Sequence, residues 1–249
     1  MTFHDHFSRV SEDYAKYRPR YPAALFEWLA ATVKTRELAW DCATGNGQAA
    51  VGLAPWFTRV VATDASDDQL RHATPLPNIE YRHAGAEASG LATDGVDLVT
   101  CAQAVHWLPR DRFFGEARRV LHPGSVIAVW GYHIPIVGDV AIDAAIRHFH
   151  DEVVGPYWPP ERWLVIDRFA TIEFPFHPVQ APDFEMRCEW TLDDFAHYLG
   201  TQSATNRYRG AHEGADPVPD LVAKVEEPWG GRPRVRDVRF PVFVRAGRT

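Results

Sequence analysis

Between residues 37 and 131 the chain alternates short apolar, β-rich runs with polar and turn-rich stretches. Strands are predicted at 38–42, 59–63, 79–82, 96–101 and 126–130, with helices between them at 48–55, 66–73 and 110–121. This alternation signals a doubly wound α/β fold with a mostly parallel sheet. The third helix runs into Leu121-His122-Pro123-Gly124, where proline and glycine should stop it and turn the chain into the next strand. Residues 1–35 read as a helical lid with a break at Arg18-Pro19-Arg20-Tyr21-Pro22. After residue 132 comes a stretch rich in proline, aromatics and histidine, too long for a simple loop. It reads as a helical cap at 133–182, inserted into a core of 36–132 and 183–249. Two late strands, 184–190 and 235–245, flank a helix at 192–199 and would close the sheet with an antiparallel edge.

The bulk numbers narrow the function classes. A chain of 249 residues fits one sizeable domain with a modest addition. A formal charge of −7 argues against a nucleic-acid binder, which needs clustered cations. Arg232, Arg234, Arg236 and Arg239 alternate in a strand-like stretch and read as a solvated face. Cys42, Cys101 and Cys188 show no C-x-x-C spacing and read as reduced thiols. Neither a secretory signal nor a membrane-spanning run is visible, so the expectation is a cytoplasmic protein, monomer or homodimer, without nucleic-acid or membrane partners. His4-Asp5-His6 has ligand-type residues but lies in a segment expected to be mobile, and no metal is expected.

The local chemistry begins at Trp40-Asp41-Cys42-Ala43-Thr44-Gly45-Asn46-Gly47-Gln48, a strand running into a glycine-rich turn at a helix start. Glycine there lets the backbone approach a ligand closely. Dinucleotide enzymes use a related turn, and with Ala50 in third place the spacing alone leaves that option open. Asp64 ends the second strand, where a carboxylate suits two neighbouring ribose hydroxyls. His106 and Trp107 lie just past the fourth strand, on the side where open α/β sheets bind ligands. His106 can be read as a base, a donor to an acceptor carboxylate or a packed polar residue; His133 stands similarly. Aromatic residues Tyr157, Trp158 and Trp163 in the cap, with Trp190, Ser203 and Tyr208 further on, would shape an apolar acceptor cavity.

The order Asp41…Gly45-Asn46-Gly47, Asp64, Ala86-Glu87, Val96-Asp97-Leu98-Val99 and Glu116-Ala117-Arg118-Arg119-Val120-Leu121-His122-Pro123-Gly124 resembles the class I S-adenosylmethionine-dependent methyltransferases of small molecules. Tyr17-Arg18-Pro19-Arg20-Tyr21-Pro22, Ala102-Gln103-Ala104-Val105-His106-Trp107 and Gly155-Pro156-Tyr157-Trp158 resemble the trans-aconitate methyltransferase-like branch. The resemblance implies a Rossmann-like, seven-stranded core and S-adenosylmethionine as cofactor, leaving as S-adenosylhomocysteine. It implies that Asp41, Ala43, Gly45, Gly47 and Gln48 surround the methionine part, with Gln103 near the transferred methyl. Asp64 and Ala65 would take the ribose, Ala86 and Glu87 the adenine edge, and Tyr17 and Arg18 would fold over the cofactor. His106, Trp107, Tyr132, Tyr157, Trp158, Ser203 and Tyr208 would line the acceptor site. The chain departs from the family pattern at Ala43, where glycine is frequent, and at Gly85, where many relatives carry an acid. A carboxylate acceptor comes first and a phenol, amine or other heteroatom second; a nucleotide-dependent oxidoreductase is the rival enzyme class.

Overall fold

The computed structural model describes residues 19–249. Its elements, in chain order, are α1 (Ala23–Thr32), β1 (Leu38–Cys42), α2 (Gln48–Leu53), β2 (Arg59–Asp64), α3 (Asp67–Arg71), β3 (Ile79–His83), β4 (Val96–Ala102), α4 (Arg110–Val120) and β5 (Leu121–Tyr132). There follow α5 (Val140–His148), α6 (Arg162–Ile166), β6 (His177–Val179), β7 (Phe184–Trp190), α7 (Leu192–Gly200), α8 (Ser203–Ala211), α9 (Val218–Trp229) and β8 (Arg236–Arg248).

Two compact units divide the chain. The first holds residues 21–132, 163–184 and 242–249; the second includes 133–162 and 185–241. Residues 163–182, expected in the inserted cap, group with the sheet unit, and 185–241, expected in the core, group with the second unit.

In the sheet unit the strand order is β3-β2-β1-β4-β5-β8-β6, with the first five strands parallel and β8 antiparallel to β5. β7 also pairs with β8, giving eight strands; the expected seven lacked the short β6. β1 is buried from its second residue on and β4 until its last, and these apolar centres pack on α4 through Trp40, Val99, Phe113 and Ala117. Strand β5 begins five residues earlier than the sequence suggests. Leu121 already pairs with Val96, a register irregularity follows, and Gly124 takes a φ of +85° to absorb it. The Leu-His-Pro-Gly phrase is thus a bulged strand entry rather than a turn before the strand.

The second unit is mainly helical. α7 opens with a capping box, Thr191 and Asp194 satisfying each other's backbone N–H. α5 starts on Asp139, whose side chain accepts from Ala141 and Ile142. It ends in a π-helical turn over Phe149–Val153. Of the arginines expected on a solvated strand face, Arg232 and Arg234 are exposed but precede β8, while Arg236 and Arg239 are half-buried. Arg232 pairs with Asp193 at 2.8 Å, and Arg236 donates to the carbonyls of Pro228 and Trp229 at the end of α9. Free C-terminal carbonyls attract guanidinium, which explains the inward turn.

Candidate active site

The C-terminal ends of β1, β2 and β4 lie side by side at the centre of the sheet, and the candidate residues follow from that placement. The chain leaves β1 through a turn in which Ala43, Gly45 and Gly47 all have positive φ, at +53°, +58° and +83°. Ala43, the position where relatives often carry glycine, thus keeps the left-handed backbone that glycine takes most cheaply. Gly47 has a second constraint: an added Cβ would sit 2.3 Å from the Tyr81 hydroxyl, which donates to the Thr74 carbonyl. Around Gly45 a Cβ would meet nothing nearer than Gln69 at 3.7 Å among the described residues.

Asp41 works underneath this turn. It is fully buried, and its carboxylate accepts from the hydroxyls of Thr44 at 2.5 Å and Thr100 at 2.7 Å. Burial raises its pKa to about 6, with the two hydroxyls opposing that rise. Asp64 reaches the same turn from β2. One carboxylate oxygen accepts the Gly45 N–H at 2.8 Å and the other the Ser66 N–H at 2.9 Å. These two bonds orient the carboxylate toward the turn. Ala65, next in the chain, is exposed, and Gln48 opens α2.

The loop after β3 carries Ala86, which is buried, and Glu87, which is exposed. The Glu87 carboxylate folds back so that a Cβ on Gly85 would lie 2.9 Å from it. An acidic group therefore stands beside the position at which relatives carry one. The loop is held from α4. Glu116 accepts from the Ser89 N–H at 2.8 Å and hydroxyl at 2.6 Å, while Arg119 donates to Glu116, to the Leu91 carbonyl and to Thr93. Bonds from Arg119, opposed by burial and aided by Ser89, bring the Glu116 pKa down to about 2. Sequence reasoning used Glu116-x-x-Arg119 only as a family phrase. The i, i+3 spacing on one helix face signals the Glu116–Arg119 pair, but not the loop that the pair holds.

Gln103 leaves β4 with a φ of +52°; its N–H donates to the Trp130 carbonyl at 2.8 Å and its side-chain oxygen accepts from the Tyr132 N–H at 3.0 Å. Gly131 makes this possible, because a Cβ there would lie 2.8 Å from the Gln103 oxygen and 2.5 Å from the Phe243 ring. His106 follows in a single 3-10 turn, Val105–Trp107, and is 6% exposed. Its ring centroid lies 4.9 Å from Trp107 and 6.0 Å from Phe169. Phe169 in turn meets Phe243 edge-on at 4.9 Å, and its own φ of +60° places it there.

All the described cofactor candidates, with His106, Trp107 and Tyr132, belong to the sheet unit. His133, Tyr157, Trp158, Ser203 and Tyr208 belong to the second. There Tyr157 packs on Tyr208 at 5.2 Å and Trp158 stacks parallel to His150, while Ser203 opens α8. Trp163, expected with the cap aromatics, is 71% exposed and groups with the sheet unit. Trp190, half-buried, packs against Tyr198 and Phe240. Tyr17, Arg18 and His4-Asp5-His6 lie outside the described residues. No helix among the described residues is long and apolar enough to cross a membrane.

A parallel sheet ordered 3-2-1-4-5, with a glycine turn after β1 and a carboxylate ending β2, defines a doubly wound α/β protein. Comparison with known proteins fixes which kind. Residues 40–129 match the methyltransferase domain family. A Saccharomyces cerevisiae protein named as an S-adenosylmethionine-dependent methyltransferase is 30% identical, over 78% of this chain and 78% of its own. A Dictyostelium discoideum protein named as a methyltransferase is 28% identical over 97% of this chain and 94% of its own. A solved structure described as a type II methyltransferase from Anaeromyxobacter dehalogenans is 41% identical, covers 93% of this chain and 97% of that one, and superposes with a TM-score of 0.87. The chain belongs to the class I S-adenosylmethionine-dependent methyltransferases. The rival oxidoreductase reading falls with that result.

Proposed function

We propose that this methyltransferase binds S-adenosylmethionine across the β1, β2 and β4 ends and passes its methyl group to a small-molecule acceptor, a carboxylate first and a phenol or amine second. The observation that carries the cofactor half is the Asp64 carboxylate, fixed by the Gly45 and Ser66 N–H groups at the lip of the glycine turn. A ligand with paired ribose hydroxyls and a thioether or sulfonium chain matches that set: hydroxyls toward Asp64 and Ala65, the chain along Gly45, Gly47 and Gln48. Asp41 and Ala43 shape the turn, and Gln103 ends β4 beside it. Ala86 offers backbone to the adenine edge. Glu87, folded over Gly85, supplies the acid that the Gly85 side chain lacks.

When bound, S-adenosylmethionine supplies a methyl group already activated on a sulfonium, so alignment and exclusion of water are the tasks left to the protein. His106 and Trp107, just beyond β4, would orient an acceptor; a carboxylate acceptor needs no base, whereas a phenol or amine would use one. Tyr132 is the remaining acceptor candidate of the sheet unit. Three unpaired cysteines, Cys42, Cys101 and Cys188, suit a reducing cytoplasm.

The test is calorimetric titration with S-adenosylhomocysteine. Wild type should bind, and Asp64→Ala should weaken binding tenfold or more, about the 1.5–3 kcal/mol of hydrogen bonds to a charged group. A folded wild-type protein that ignores S-adenosylhomocysteine would overturn the assignment.

A further inference from the structure

In the second unit, three buried side chains hold polar atoms that meet no hydrogen-bond partner among the described residues. His150 is 4% exposed and both of its ring nitrogens are unmet; Gln202 (3%) has an unmet Oε1 and Thr205 (0%) an unmet Oγ1. Their elements pack in sequence. The π-turn with His150 packs on the 155–157 turn, which packs on α8, and α8 carries Thr205 with Gln202 at its N-cap. The usual local escapes are unused. Gln202 makes no capping bond to its helix, and Thr205 does not bond back to the preceding turn. A buried polar group left unmet costs about 1–3 kcal/mol, and folded proteins keep few of them. Three such residues on elements linked through the 155–157 turn, one of them on a π-turn, make the pattern of a site that a ligand completes.

The donor inventory says what that ligand is. Burial, with the Arg162 charge adding to it, holds the His150 pKa down to about 3, so the imidazole is neutral and offers one donor and one acceptor. Thr205 offers one of each and Gln202 Oε1 accepts only. An ionised carboxylate accepts only and would leave Gln202 and one His150 nitrogen unmet. An uncharged amide or hydroxyl both gives and takes. Flat surfaces adjoin: the Trp158 ring lies parallel to His150, tilted by 5° at 6.0 Å, and Tyr157 packs on Tyr208.

We propose that His150, Gln202 and Thr205 form a binding site for a planar small molecule bearing an uncharged donor-and-acceptor head. The site stands on these residues alone; if its ligand is the methyl acceptor, they read an uncharged end of it and not a methylated carboxylate.

The test uses the full chain and a near-isosteric pair, benzamide and benzoate, followed through the His150 ring nitrogen signals by NMR. Benzamide should shift those signals saturably, and benzoate should bind at least tenfold more weakly. Gln202→Met with Thr205→Val should weaken benzamide at least tenfold while leaving the melting temperature unchanged or higher, since two unmet groups are removed. Silence of His150 toward benzamide, equal binding of benzoate, full retention of binding in the double variant, or a melting temperature lower by several degrees would each overturn the site. Titration of wild type with S-adenosylhomocysteine reports separately on the methyl-transfer reading.

Discussion

Ala43 holds a φ of +53° in the turn after β1, where an L side chain crowds the neighbouring carbonyl. Left-handed backbone costs a non-glycine residue about 1–2 kcal/mol, partly offset by the extra freedom glycine gives the unfolded chain. Ala43→Gly should therefore stabilise the protein by about 0.5–1 kcal/mol, and Ala43→Val, β-branched in the same backbone, should destabilise it. Thermal melts should rank Gly above Ala above Val; Ala on top would show that the turn relaxes. Gly47 is the stricter position. With a φ of +83° and the Tyr81 hydroxyl 2.3 Å from a Cβ, Gly47→Ala must displace both backbone and ring. It should lose about 1–3 kcal/mol and, because the ring and the turn move together, weaken S-adenosylhomocysteine as well. Loss of stability with intact affinity would place the strain outside the cofactor site.

At the scale of elements, α4 does more than cover the sheet. Its Glu116 and Arg119 grip the 85–91 loop through Ser89 and Leu91, so the proposed adenine edge depends on a helix that need not touch it. Glu116→Gln replaces charge-assisted bonds with neutral ones and should lower S-adenosylhomocysteine affinity several-fold while Asp64 is untouched. Unchanged affinity would detach the loop from binding. The Glu116 pKa in the folded chain, about 2, lies below its ordinary 4.5, so its stabilisation is complete above about 4.5 and fades as pH falls toward 2. Urea unfolding across that range should show wild type and Glu116→Gln converging in acid. The strands from β1 to β4 were legible in the sequence because apolar runs and glycine punctuation report burial directly. The clamp was not, because Glu116 and Ser89 are 27 residues apart and meet only through the sheet. Nor was the early start of β5, since proline and glycine signal a turn and a bulged strand alike.

Across the whole chain, long-range links stayed hidden for the same reason, and the end of the sheet opposite the candidate site shows it. Asp97, at the start of β4, accepts from Thr35, from the Glu37 and Leu38 N–H groups and from His122. Thr249, at the C-terminus, donates to the His122 carbonyl, and Arg248 reaches the carbonyls of Gly124 and Thr32. One carboxylate thus joins the entries of β1, β4 and β5, and its sequence neighbours Val96, Leu98 and Val99 advertise only a strand. Burial opposes ionisation of Asp97, but the bonds from Thr35, Leu38, His122 and Glu37 outweigh it and hold its pKa below the ordinary 3.8. A depressed pKa gives stability that is present above the unfolded value and lost as pH falls through the folded one. Asp97→Asn should then cost about 1.5–3 kcal/mol at neutral pH, the worth of a hydrogen bond to a charged group. The gap to wild type should stay constant down to about pH 4 and close below it. S-adenosylhomocysteine affinity at pH 7 should not change, because β1, β2 and β4 present the candidate cofactor residues at their other ends. Urea titrations at pH 7, 4 and 2, paired with one calorimetric titration at pH 7, decide both halves. A gap that persists at pH 2 would mean that Asp97 holds the strand entries by shape and not by charge, and a loss of affinity would mean that strain passes along the whole length of β4.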